Sequence, residues 1–379
     1  MMSSLNAEHN APMGIEGIDS RLEVLSEAPL VLATPINLLG HGPVTDKSVL
    51  FVRNIQDLDE AMTLDPLPID GWRLELTGLI TPSRVVISAE ELLDMEQVEY
   101  EMVLQCSGNG RALYPGIPGT PWTQGGIGNV RFTGVPLAAV LAKHGVTVDS
   151  QVRFVTAEGR RGPLGGEFPD LEHSLPVADV LSTSILALQL NGEPLPAIHG
   201  GPLRLVTPGF FGTMQLKWLA RLRFEVAEST SFYHATEYRV PLERIDPEED
   251  FQFTLENSRP TWSIRLMSYI LDPQPDAALP TGEVTVSGVA YNDGAARLES
   301  ILVSVDRGLS WQSADFTVPE SPYAWYAWSM QARFEPGEYE IWSRAIDDLG
   351  RTQPLDGNVD WNPNGYEWAG VFKTRITVT

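Results

Sequence analysis

The sequence predicts an α+β domain followed by an all-β sandwich of immunoglobulin type, and three observations carry that expectation. At 379 residues the chain exceeds one small module and suits two domains. Its 33 glycines and 29 prolines cut it into many short elements, with no repeat visible at periods of roughly 20 to 50 residues. Beyond the acidic, proline-bearing run PLERIDPEED, which ends at Asp250, the pattern changes to almost pure strand signals. These observations divide the chain into a polar, unpatterned N-terminal arm (1–29), an α+β domain (30–247) and a β-sandwich (250–379).

Each element has its own local reason. Ser88 followed three residues later by Glu91 forms a capping box that starts a short helix over residues 88–95. In VEYEMVLQC, the residues Val98, Tyr100, Met102, Leu104 and Cys106 share one parity. Cys106 therefore continues the apolar face of a strand where SGNG breaks it. A second helix reads from PLAAVLAKHG, with Pro136 at its first position, a stripe of Leu137, Val140 and Leu141, and Gly145 at its end. SILALQLNGEPL is a strand entering a hairpin turn at Asn191-Gly192. In the last third, Val284/Val286, Ile301/Val303/Val305, Tyr339/Ile341 and Phe372/Ile376/Val378 alternate as antiparallel strands do. Seven of the ten tryptophans follow the boundary, most assigned to core and sheet packing and some to a subunit interface.

Composition excludes several function classes. Lys+Arg number 26 against 50 Asp+Glu, a net charge of −24 that repels nucleic acid and anionic lipid surfaces. No apolar run approaches the ~18 residues of a membrane span, and the first residues lack a signal pattern. As written, that predicts a soluble cytoplasmic protein, or a periplasmic one if an export signal has been removed. One cysteine rules out an intrachain disulfide, a CxxC pair and a four-cysteine metal site. GxxxxGK[ST], HExxH and GxSxG are absent, and the six histidines never fall at close metal-ligand spacing, so a histidine-rich metal site would need distant segments.

Cys106 in LQCSGNGR is the remaining chemical signal. A lone cysteine on an apolar strand face is commonly an inert core residue. Here a tight Ser-Gly-Asn-Gly turn with Arg111 five residues on supplies free N–H groups and a cation, which should lower the thiol pKa. The resulting thiolate would serve as a nucleophile or as a soft metal ligand.

LQCSGNGR resembles the cysteine motif of the sulfite oxidase family of molybdenum enzymes. Other segments agree in order: VLFVRN before it, GIGNVRFTGVPL after it, HGGPLR at 199–204, KWL from Lys217, EYR at 237–239, and SVDRGLSW and WNPNGY towards the end. The resemblance runs from about residue 30 to the C-terminus. It implies a sulfite-oxidase-like molybdopterin-binding domain, an immunoglobulin-like dimerisation domain and a homodimer. It also implies that Cys106 binds the molybdenum of a molybdopterin cofactor and that Asn54, His199, Arg204, Gln215 and Lys217 contact the pterin and its phosphate. Arg53 and Arg111 would face sulfite or a similar small anion, with Tyr238 as hydrogen-bond donor near the metal.

The implied activity is oxidation of sulfite to sulfate by oxygen transfer. Electrons would pass to an external acceptor, a cytochrome c-like protein or a small oxidant, because no haem or flavin module is recognisable. A sulfane dehydrogenase-like subunit is the nearest alternative and nitrate reductase a further one; a cofactor-less binding protein is the non-enzyme alternative. The sequence departs from the family pattern at Ile55, where many members have histidine, at AEGRRGPLGG (157–166), which leaves one pterin contact unassigned, and at Val289 and Tyr291, where animal members carry an Arg–Ala–Trp run.

Overall fold

The computed structural model describes residues 17–40, 42–55, 66–160, 171–355 and 359–379. Strands dominate it. Among the described residues the α-helices are Leu137–Lys143, Val177–Thr183 and Phe232–Ala235, so the expected α+β character gives way to a mostly β structure with few helices. Frequent glycine and proline keep the elements short. Pro136 and Pro176 sit immediately before the two longer helices, so Pro136 occupies the cap rather than the first helical position expected for it. The capping box is present: the Glu91 carboxylate accepts the Ser88 N–H at 2.9 Å, and the element it starts, Ala89–Asp94, is a 3₁₀ helix.

Two five-stranded sheets carry the N-terminal part. One runs in the order Glu172–Pro176, Phe154–Gly159, Leu219–Glu225, Arg73–Gly78 and Arg84–Ser88, with its third and fourth strands parallel. In the other, Glu193–Pro194, Ile185–Leu190, Ile127–Pro136 and Val98–Gln105 lie side by side, and Arg204–Val206 also pairs with Ile185–Leu190. Ile185–Leu190 and Glu193–Pro194 form the hairpin expected at Asn191-Gly192. Residues 1–29 were expected as an arm, yet Glu23–Glu27 is a strand paired with Leu30–Ala33, and residues 1–16 lie outside the described residues.

The alternation expected in the Val98–Gln105 strand holds only in its first half, because residues 102 to 105 are all buried. Met102, Leu104 and Cys106 face one apolar cluster while Val103 enters another, and the Val103 N–H donates to Tyr323 O at 2.8 Å. A strand covered on both faces reads as continuously apolar.

Gly134 lets Ile127–Pro136 and Ile185–Leu190 approach, since a Cβ there would lie 2.2 Å from Leu186 O. Gly134→Ala is expected to cost about 1–3 kcal/mol, the usual range for overpacking, read as a lower urea midpoint at unchanged slope.

In the C-terminal part a four-stranded sheet (Met267–Asp272, Gly282–Tyr291, Tyr326–Phe334, Asp315–Phe316) packs on a five-stranded one. The second sheet runs Ala277–Leu279, Phe372–Val378, Gly337–Asp347, Leu298–Ser304, Gln312–Ser313. Val286, Ile301, Val303, Trp328, Ile341, Ile376 and Val378 meet in the core between them, as their alternation predicts. Trp325, Trp328 and Trp368 are buried; the other four tryptophans after the boundary are half-buried.

Candidate functional site

Cys106 leaves the Val98–Gln105 strand into a loop that is fixed from several sides. Its N–H donates to Gly126 O at 2.8 Å, and the Gly126 N–H donates to Asn109 Oδ1 at 2.9 Å. Asn109 Nδ2 in turn donates to the Tyr269 hydroxyl at 3.0 Å, and the Glu367 N–H to Ser107 O at 2.9 Å. Both of the last two partners come from the C-terminal part. The thiol pKa runs opposite to expectation. Burial pushes it up, while the charges of Arg53, Arg111 and Lys217 and the Gly108 N–H act to lower it without prevailing.

Beside the thiol opens a cavity whose wall includes Arg53, Asn54, Cys106, His199, Arg204, Gln215, Lys217 and Tyr238. Eight of the nine site residues expected from sequence therefore share one cavity, although they span 186 positions from 53 to 238. The His199-Gly200-Gly201 turn brings Lys217 into place. Gly200 has φ +103°, and a Cβ on it would sit 2.7 Å from Lys217 Cγ. Lys217 Nζ donates to Ile198 O at 2.7 Å, Asn54 Oδ1 at 2.9 Å and Arg53 O at 3.1 Å. Arg204 donates to His199 O at 2.9 Å and Gln215 O at 3.1 Å.

These cations have no anionic partner, Arg204 being buried and Arg53 and Lys217 half-buried. No described carboxylate pairs with Arg53, Arg204 or Lys217; Lys217 and Arg204 meet only neutral oxygens. Burial, then the charges of Arg204 and Arg53, pull the Lys217 pKa well below its usual value; burial alone brings Arg204 down to about 9. His199 is likewise held well below its usual value by burial and by Lys217 and Arg204. Its Nε2, Asn54 Nδ2 and Gln215 Oε1 are buried with no hydrogen-bond partner among the described residues. Converging uncompensated cations and orphaned polar atoms are the complement of a multiply anionic group with hydrogen-bonding edges. The residues present fit a phosphate-bearing pterin.

Arg111 is the exception among the expected residues. It does not line the cavity: its Nε donates to Asn364 O at 3.0 Å, its Nη1 to Thr120 O at 3.3 Å, and its guanidinium lies 4.9 Å over the Tyr366 ring. Tyr366 stacks on Tyr238 at 4.9 Å and donates to Glu237 at 3.1 Å. Burial pushes the Tyr238 hydroxyl pKa up against the pull of Arg53, so it stays protonated. Tyr366 was not singled out from sequence as a site residue, and neither was the buried His173–His234 pair, whose members lie 61 positions apart. Of the stretch 157–166, where one pterin contact is unassigned, residues 161–166 lie outside the described residues.

Comparison with known proteins agrees with this geometry. Residues 62–233 match the oxidoreductase molybdopterin binding domain, and residues 258–379 the Mo-co oxidoreductase dimerisation domain. The mitochondrial sulfite oxidase of Mus musculus is 30% identical over 96% of this chain and 68% of its own length. The chain belongs to the sulfite oxidase family of molybdopterin enzymes. As a member of that family it is an oxidoreductase with a molybdopterin cofactor. It spans 63% of the length of the human and macaque sulfite oxidases. A nitrate reductase [NAD(P)H] of Hordeum vulgare is also 30% identical, over 93% of this chain and 41% of its own. Among solved structures, the sulfane dehydrogenase SoxCD of Paracoccus pantotrophus superposes with a TM-score of 0.77 at 26% identity, covering 98% of this chain and 92% of that one.

Proposed function

We propose that the protein oxidises sulfite to sulfate and passes the electrons singly to an external acceptor, a cytochrome c-like protein or a small oxidant. The observation that carries this reading is the cavity in which Cys106, Arg53 and Tyr238 stand beside the uncompensated cations. When bound, the cofactor supplies two-electron redox chemistry and oxygen-atom transfer at molybdenum, with Cys106 as a protein ligand. Arg204, Lys217 and neutral His199 would hold its phosphate, and the unpaired amide atoms of Asn54 and Gln215 could hydrogen-bond the pterin. Arg53 neutralises the anionic substrate in a medium of low dielectric, where one charge counts for more than in water. Arg111 adds its field from behind Tyr366. The protonated Tyr238 hydroxyl donates to a substrate oxygen.

Overall, sulfite and water give sulfate, two protons and two electrons. Tyr238→Phe is expected to lower kcat/KM for sulfite about 10- to 100-fold, the worth of one charge-assisted hydrogen bond, with molybdenum content unchanged. Steady-state kinetics with metal analysis checks it.

A second reading, oxidation of sulfane sulfur, is favoured by the likeness to the sulfane dehydrogenase SoxCD over nearly the whole chain. Molybdenum analysis followed by turnover with sulfite, thiosulfate and nitrate separates these readings, and turnover with nitrate alone would overturn both. The same proposal includes a homodimer formed through residues 258–379, a domain boundary near residue 250 and an immunoglobulin-type sandwich after it.

A further inference from the structure

We propose that Thr213, His173, His234 and Glu228 form a proton exit from the cavity. The inference rests on the proposed oxidation, which releases two protons for each sulfite, beside the cations Arg53, Arg204 and Lys217 that repel them.

Thr213 is part of the cavity wall. Its Oγ1 lies 3.4 Å from His173 Nε2, His173 Nδ1 lies 3.4 Å from His234 Nδ1, and His234 Nε2 lies 3.0 Å from Glu228 Oε2. Both rings are fully buried, whereas the Glu228 side chain keeps 17% of its surface exposed. The chain of atoms thus leads from the cavity to water.

Its partners fix the tautomers. The Ser174 N–H can only donate, and it reaches His234 Nδ1 at 3.3 Å, so that nitrogen carries a lone pair. His234 therefore donates from Nε2 to the Glu228 carboxylate. The contact between the two Nδ1 atoms then requires the proton on His173. Burial, together with His234, holds His173 well below its usual pKa and so neutral, leaving its Nε2 free to accept the Thr213 hydroxyl. Every donor points outward.

Other charged and titratable groups frame the path. Arg239 pairs with Glu228 at 3.1 Å, Tyr238 meets the His173 ring edge-on at 5.3 Å, and Glu172, adjacent in sequence to His173, pairs with Arg223 at 2.8 Å. Burial would raise the Glu228 pKa, but the hydrogen bonds from His234 and Arg239 hold it below the usual range, so it starts ionised.

In one passage a cavity water gives a proton to Thr213 Oγ1 as the Thr213 proton moves to His173 Nε2. The His173 Nδ1 proton moves to His234 Nδ1, the His234 Nε2 proton moves to Glu228, and Glu228 releases it to solvent. The two electrons leave by the external acceptor. Each passage inverts both imidazole tautomers, and before the next proton each ring regains its starting form by way of the imidazolium, taking a proton from water on the emptied nitrogen and returning one to water from the other.

The test uses molybdenum-loaded wild type, Thr213→Val and Glu228→Gln. The valine variant removes the hydroxyl with little change of shape and stands in should loss of the Arg239 partner unfold the glutamine one. Turnover at saturating sulfite and acceptor should fall about tenfold or more, within the range of a lost proton-transfer group, with KM and molybdenum content held. A small diffusible buffer acid should restore part of the Glu228→Gln rate. Nitrogen-15 NMR of the wild-type histidines should place the His173 proton on Nδ1 and that of His234 on Nε2. Full turnover in both variants, or a proton on His234 Nδ1, would overturn the relay. Wild-type enzyme that carries molybdenum yet oxidises no sulfite overturns the functional reading instead, and the nitrogen tautomers then judge the relay by themselves.

Discussion

Cys106→Ser is expected to abolish turnover while leaving the pterin bound. Serine is close to cysteine in size, so the buried loop with its hydrogen bonds to Gly126 and, through Asn109, to Tyr269 should persist. A hydroxyl is a far poorer ligand than a thiolate for a soft metal, however, and the redox centre loses its protein anchor. The phosphate cradle proposed for His199, Arg204 and Lys217 is untouched by the change. Pterin released on denaturation, measured by fluorescence, should therefore stay near one per chain in the variant while sulfite oxidation disappears. Full activity would remove Cys106 from the metal.

Lys217→Met should move two quantities in opposite directions. Without the cofactor Lys217 is a half-buried ammonium facing Arg204 and Arg53, its hydrogen bonds going only to neutral oxygens. Replacing this charge with an apolar side chain of similar length removes its repulsion with Arg204 and Arg53, so the cofactor-free variant should melt higher. In the holoenzyme the same change removes a charge-assisted contact, and affinity for the phosphate-bearing cofactor should fall about 10- to 100-fold. A pH series adds a sign. Because the folded-state pKa of Lys217 lies well below the ordinary 10.5, the unfolded chain binds more protons in that interval. Stability of the cofactor-free wild type therefore rises with pH across that window, and the methionine variant should lose this slope. A lower melting temperature in the cofactor-free variant would mean that Lys217 is paired in a way its surroundings do not suggest.

Much of the site was legible because its signals are local. LQCSGNGR ends a strand at a turn, HGGPLR makes the close backbone approach that delivers Lys217, and alternation gave the sandwich strands directly. The misreadings have physical causes. Alternation fails at residues 102–105 because both faces of that strand are covered, and the thiol pKa was misjudged because desolvation outweighs three nearby cations. Arg111 follows the cysteine by five positions, yet its guanidinium is drawn away by the carbonyls of Asn364 and Thr120. The His173–His234 pair and Tyr366 depend on contacts across 61 and 128 positions, and no local pattern encodes them.

The segment around Tyr366 has a bearing on how this architecture can be recombined. Asn364 supplies a carbonyl to Arg111, Tyr366 a ring to both Arg111 and Tyr238, and Glu367 an N–H to Ser107. The matched segments 62–233 and 258–379 are therefore not interchangeable cassettes. A chimera joining the first half of one relative to the second half of another keeps the site where both halves carry the matching loop and clamp, LQCSGNGR and WNPNGY in this chain. Where a partner half departs from either motif, residues 104–111 and 361–368 would have to move together to keep Arg111 and Tyr366 in register.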